Sequence, residues 1–183
     1  MKKTFGMISL GCDKNRVDGE RILGEIRRHG CEITDDIEKA QVLVVNTCAF
    51  LNASRKEAID AVIEGNAHRG GVLEKIVVTG CLPEKYIAEL FPALTEGDVF
   101  LGVSDCSELF PALERAYAGE RVNAVHTGRE GSDRVITTPP HLKYLKIADG
   151  CFNHCTYCLI PKIRGKYRSY PMEELVAEAK SLG

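Results

Sequence analysis

Short apolar runs alternate with stretches of helical period over the first two thirds of this chain. Met7-Ile8-Ser9-Leu10, Val42-Leu43-Val44-Val45 and Ile76-Val77-Val78 are rich in β-branched residues, and each run soon meets Gly or Asn-Thr. Such runs read as strands buried on both faces of a parallel sheet. Between them, Arg16 to Arg28 places Val17, Ile22, Leu23 and Ile26 on one side of a helix. Ala53 to Ala67 does the same with Ala58, Ile59, Val62 and Ile63. A short strand is expected at Glu32-Ile33-Thr34. A helix is expected from Tyr86 to Leu94 (beginning just after Pro83), a strand at Asp98–Gly102 and a helix from Cys106 to Tyr117.

Strand–helix alternation implies a parallel sheet with right-handed crossovers. The first domain, 1–128, is therefore expected to be an α/β, Rossmann- or flavodoxin-like sheet domain. A polar connector follows over Thr127–Asp133, then Pro139-Pro140, so 129–140 reads as a linker. Leu142 to Ala148 alternates in the manner of a half-buried strand, and Pro171-Met172-Glu173-Glu174 opens a helix reaching Leu182. Residues 141–183 thus make one strand–loop–helix unit. A complete (β/α) barrel needs about 200–250 residues, so the chain reads as a fragment of a longer enzyme.

Composition narrows the class. Lys and Arg number 24 against 26 Asp and Glu, a net charge of −2, so bulk charge gives no sign of direct DNA binding. A local basic run, Lys162, Arg164, Lys166 and Arg168, reads either as a solvated face or as part of a site. No stretch approaches the ~20 apolar residues of a membrane span. The six residues Phe5 to Leu10 fall short of the roughly 7–15 of a signal peptide's apolar core. A cytoplasmic protein is expected, where thiols stay reduced and clustered cysteines serve metals or catalysis.

The eight cysteines then carry the argument. Cys151, Cys155 and Cys158 are spaced C-x3-C-x2-C, which lets one tight loop hold three corners of a four-iron cluster. The fourth iron is left open to bind and reduce a small molecule. A zinc knuckle is the alternative, with His154 or a distant cysteine as fourth ligand. Cys12, Cys48 and Cys81 each follow one of the apolar runs, 36 and 33 residues apart. Parallel strands end at one edge, where binding sites collect, so these three make a second candidate thiolate site. Cys31 and Cys106 read as structural.

Both triads, in this order, resemble those of the methylthiotransferases, a branch of the radical S-adenosylmethionine (SAM) enzymes. Ser9-Leu10-Gly11-Cys12-Asp13-Lys14-Asn15-Arg16-Val17-Asp18-Gly19-Glu20 is similar to the pattern SLGCxKNxVDxE of the subfamily that modifies small-subunit ribosomal protein S-twelve. Cys158-Leu159-Ile160-Pro161-Lys162-Ile163-Arg164-Gly165 matches the family's C-x-I-P-x-x-R-G. Tyr170 departs from it, standing before Pro171 where the family usually has Arg.

The resemblance implies two [4Fe-4S] clusters and S-adenosyl-L-methionine as cofactors. Cys151, Cys155 and Cys158 would hold the catalytic cluster, with Tyr157 near the adenine. Cys12, Cys48 and Cys81 would hold an auxiliary cluster. The fold would be an amino-terminal sheet domain followed by the first β/α unit of a truncated radical SAM partial TIM barrel. The implied reaction is methylthiolation of an aspartate β-carbon on ribosomal protein S-twelve, free or in the ribosome, with flavodoxin or ferredoxin as reductant. Two alternatives stand beside it: a transfer-RNA adenosine methylthiotransferase, against which the Lys14–Asp18 stretch argues, and a non-catalytic iron–sulfur or zinc module.

Overall fold

A computed structural model describes residues 2–128, 130–131 and 133–182. Arg129 and Ser132, within the expected connector, lie outside the described residues, as do Met1 and Gly183. The chain divides into two compact units, one reaching Val135 and the other starting at Ile136.

The first unit is a six-stranded sheet built from β1 (Thr4–Ser9), β2 (Glu32–Thr34), β3 (Val42–Thr47), β4 (Lys75–Gly80), β5 (Val99–Phe100) and β6 (Val122–Asn123). Its order is β2-β1-β3-β4-β5-β6 and every pairing is parallel. The order reverses between β1 and β3, as in doubly wound folds of the flavodoxin type. All six residues of β3 are buried, which is why it reads as an unbroken apolar run rather than an alternating one.

Helices cover both faces. On one, Val17-side residues Ile22, Leu23 and Ile26 of α1 (Asp13–Arg28) and Leu109 and Leu113 of α4 (Leu109–Tyr117) pack with Phe5, Val42, Val44, Val77 and Val99. On the other, α2 (Asn52–Asn66) comes so close to β3 that a Cβ built on Gly65 would stand 2.5 Å from Leu43 Cδ2. There too Phe91 of α3 (Cys81–Ala93) meets Phe100 of β5 edge-on at 5.4 Å.

Two departures from the sequence expectation change the edge where binding sites collect. The third helix starts at Cys81 rather than after Pro83, with a kink at Tyr86; Pro83 has φ already suited to a first helical turn, so it does not delay the start. The first helix begins at Asp13, three residues earlier than its apolar stripe suggested, with Cys12 as its N-cap residue. A 3-10 turn at Cys106–Glu108 precedes α4.

The second unit contains β7 (Ala148–Asp149), α5 (Ile160–Ile163), β8 (Arg168–Ser169) and α6 (Met172–Leu182). The strand expected over 142–148 is confined to Ala148 and Asp149, which pair antiparallel with Ser169 and Arg168. Its alternation is also inverted: Lys146 is 5% exposed, whereas Leu145 and Ile147 lie open at 37% and 61%. Among the described residues nothing pairs in a ladder with 142–147, and only Ile147 O, which accepts from Tyr170 N at 3.1 Å, meets the neighbouring strand.

No helix of the described residues is long and apolar enough to cross a membrane.

Candidate functional site

Cys12, Cys48 and Cys81 stand at one edge of the sheet because β1, β3 and β4 are neighbours in it. The register sets Ser9 beside Asn46 and Asn46 beside Thr79, and adjacent strands lie about 4.8 Å apart. Each cysteine then occupies the turn that follows its strand: Cys12 ahead of α1, Cys48 just past β3, Cys81 opening α3. A Cβ built on Gly11 would stand 3.1 Å from Cys48 Cβ, so the first two turns touch. The first two cysteines flank the point where the strand order reverses, the usual place for a ligand in such a sheet.

Beneath the three turns is a buried polar floor. The Asn15 side-chain amide donates to the carbonyls of Leu10 and Thr47, the second at 3.3 Å. The Asn46 amide donates to Asn15 O at 2.7 Å. Thr47 Oγ1 donates to Thr79 O at 2.6 Å and accepts from the Leu82 amide at 3.3 Å. Among the described residues the Oδ1 atoms of Asn15 and Asn46 are buried without a hydrogen-bond partner. Gly80, at φ +96°, makes the turn into α3; a Cβ there would meet Thr47 O at 2.6 Å and Asn46 Oδ1 at 2.7 Å. Sequence reasoning found the thiols and passed over this floor. Its signal was polar Asn46, Thr47 and Thr79 at the ends of otherwise apolar buried strands.

The second triad rides on a loop closed at its base. Cys151 N donates to Gly165 O at 3.1 Å, and Gly150 (φ +72°) leaves no room for a side chain, since a Cβ would lie 2.1 Å from Lys166 O. Within the loop, Cys158 N donates to Cys155 O at 3.1 Å and Asn153 N to Cys151 Sγ at 3.4 Å. Cys155 is exposed; Cys151 and Cys158 are half-buried. The Tyr157 ring is 82% exposed. Below the loop, Asp149 accepts from Lys146 at 3.2 Å and Arg164 at 3.1 Å, all three side chains at most 5% exposed. Burial alone would raise the Asp149 carboxyl, but Lys146, Arg164 and the Gly150 amide outweigh it and hold it below its ordinary value. Arg164 therefore stands off the solvated face on which the basic run Lys162–Arg168 could have placed it. Tyr170, the departure before Pro171, lies under Lys146 Nζ at 5.7 Å and the Arg168 guanidinium at 5.5 Å from its ring centre.

All eight cysteines are free thiols. Cys31 and Cys106 are buried in the core of the sheet unit. Cys106 Sγ donates to Arg21 O at 3.4 Å, and burial, helped by the Glu25 charge, pushes its thiol up to about 12. Among the described residues no three Cys, His, Asp or Glu side chains form a ready ligand set for a single ion. A cubane makes a different demand, because each thiolate binds its own iron and the thiolates stand farther apart. Thiolate donors suit soft metal centres rather than a Mg²⁺ or Ca²⁺ site.

The profile of the family described as "Uncharacterized protein family UPF0004" matches residues 4–102. The chain is 46% identical over 185 residues to the ribosomal protein uS12 methylthiotransferase RimO of Clostridium tetani, which covers 99% of this chain and 41% of that protein. Proteins of the same name from Lachnoclostridium phytofermentans and Desulforudis audaxviator are each 43% identical, over 96% and 97% of this chain. The chain spans about two fifths of the length of these curated relatives.

Proposed function

We propose that this chain, which belongs to the UPF0004 family, is part of a methylthiotransferase acting on an aspartate β-carbon of ribosomal protein uS12. The observation that carries this reading is identity of 43–46% over nearly the whole chain with relatives named as uS12 methylthiotransferases; the aspartate β-carbon follows from the resemblance of the Ser9–Glu20 stretch. The donor chemistry supports it.

Cys12, Cys48 and Cys81 would hold one four-iron cluster at the sheet edge, and Cys151, Cys155 and Cys158 another on the loop. When bound with S-adenosyl-L-methionine, such clusters supply one-electron chemistry able to open a C–H bond that offers no acidic proton to a general base. The residues of this chain do the rest. Asn15 and Thr47 tie the Cys12 and Cys48 turns together, and Thr47 Oγ1, through the Leu82 amide, ties the Cys81 turn to them. Tyr157, open to solvent, is free to cover the nucleoside. In this reading residues 1–128 carry the first triad, 129–140 link, and 141–183 carry the second. A flavodoxin or ferredoxin is the reductant, and the protein works in the cytoplasm.

The test is iron, sulfide and zinc per chain after anaerobic reconstitution. About eight irons, falling to about four in a Cys12/Cys48/Cys81→Ala variant, is expected; stoichiometric zinc with little iron overturns the cluster reading. For the substrate, mass spectrometry of cells with and without the gene should find a methylthio increment on an aspartate of uS12. An increment on transfer RNA instead would move the activity to the adenosine branch.

A further inference from the structure

Of the three buried residues among the described part of the second unit, two are charged, Lys146 and Asp149, beside Ile163, and the Arg164 side chain that pairs with Asp149 is itself only 5% exposed. This inverts ordinary burial, in which charges stay outside unless pairing has a use. Their position along the chain suggests the use. Asp149 stands immediately before the glycine that opens the cysteine loop, and Arg164 immediately before the glycine that closes it. The Asp149–Arg164 pair therefore spans the two ends of a segment containing Cys151, Cys155 and Cys158. Asp149 Oδ1 also accepts from the Gly150 amide at 2.9 Å, which fixes the turn into Cys151. Cys151 N to Gly165 O and the β7–β8 pairing of Asp149 with Arg168 complete the stem.

Resting on the reading of this loop as a cluster site, we propose that Asp149 and Arg164, with Lys146, are positioning residues. They form a buried ionic latch that holds the loop ends together and so sets the spacing of the three thiols before any metal arrives. The loop itself is short of other restraints. Residues 152–156 are all exposed; among the described residues the backbone bonds between Cys151 and Cys158 run from Cys158 to Cys155 and from Asn153 to Cys151 Sγ, the short α5 turn follows, and the Phe152 ring rests 6.1 Å from that of Tyr167. A chain of this length closed only by those contacts would sample many thiol spacings. An ion pair at the base removes that freedom from the apo chain. An apolar trio of similar volume would keep the unit folded but would give up the hydrogen bond to the Gly150 amide and the fixed fork of the guanidinium.

The experiment uses the full chain carrying Cys12/Cys48/Cys81→Ala, so that all iron reports the loop. This parent should load about four irons and give a reduced-cluster electron paramagnetic resonance signal. Asp149→Asn should hold less than half of that iron with an altered signal, and Arg164→Lys should recover most of it. The decisive variant is Lys146→Met/Asp149→Leu/Arg164→Met. Folded by circular dichroism yet poor in iron, it supports the latch; folded and replete, it overturns it. If that variant does not fold, equal loading and identical spectra in Asp149→Asn and the parent overturn the proposal. Failure of the parent to load iron would strike the cluster reading instead. The latch is then judged by alkylation of Cys151 in the metal-free chain: several-fold faster in Asp149→Asn supports it, and an unchanged rate overturns it.

Discussion

The side-chain amide of Asn15, in the first turn of α1, donates to the carbonyl of Thr47 at the end of β3. It also reaches Leu10 O, so one buried side chain joins two cysteine turns that sequence separates by more than thirty residues. Asn15→Ala leaves both carbonyls without this donor, in a site where Asn15 is 1% exposed. Unmade buried hydrogen bonds cost about 1–3 kcal/mol. The variant should lose stability in that range by urea denaturation, and iron loading at the sheet edge should fall with it.

Gly80 carries the sharpest steric demand at the same edge. Gly80→Ala sets a Cβ at 2.6 Å from Thr47 O in a backbone of φ +96°, adding contact strain to about 1–3 kcal/mol of conformational strain. Gly71→Ala is the control, since its Cβ meets nothing closer than 3.4 Å. Thermal denaturation should show a marked loss for the first and little change for the second.

Acid stability should depend on Glu74. The Lys3 ammonium at 2.7 Å and the Gln41 amide hold its carboxyl below the usual carboxylate range, against the opposite push of burial. A carboxyl depressed on folding adds stability that is present above its unfolded value, near ~4.3, and is lost as pH falls through the folded one. Glu74→Gln should therefore be less stable at pH 7 by no more than about 1 kcal/mol, the pair being partly exposed. The gap to wild type should close as pH falls below about 4, measured by denaturant titration across that range.

Thiol chemistry should sort the cysteines. The thiolate is the reactive form, and burial holds Cys106 in its thiol form far above neutral pH. Limited iodoacetamide treatment of the metal-free chain at pH 8, followed by peptide mapping, should label exposed Cys12 and Cys155 first. Cys106 and Cys31 should be labelled only after denaturation. Early labelling of Cys106 would contradict its burial.

The sheet unit was largely legible because its signals are local and strong. The β-branched runs at 42–45 and 76–78 could be buried only as strands, and the stripe Val17, Ile22, Leu23, Ile26 only on a helix packed against them. The strand expected at 142–148 failed for a related reason. Alternation states which side chains share a face, but a strand exists only where a neighbour meets its backbone bonds, and here the ladder covers Ala148 and Asp149, with one further bond from Tyr170 N to Ile147 O. The order of the sheet was not local either. That β1 lies next to β3 comes from the chain crossing back over β1 after β2, and this brings Cys12 beside Cys48.

By itself, then, the sequence determined the main strands and helices of the sheet unit, the thiols and the chemistry that thiols in triads can support, because residue type and spacing are written along the chain. Tertiary structure alone decided what holds those thiols: the Asn15–Thr47 bond, the Asn46 floor beneath three turns, and the Asp149–Arg164 pair at the loop base. Each joins residues distant in sequence, or depends on burial. A polar side chain in a short sequence window looks alike whether water or a carbonyl 30 residues away will satisfy it, and only the packed fold removes the water.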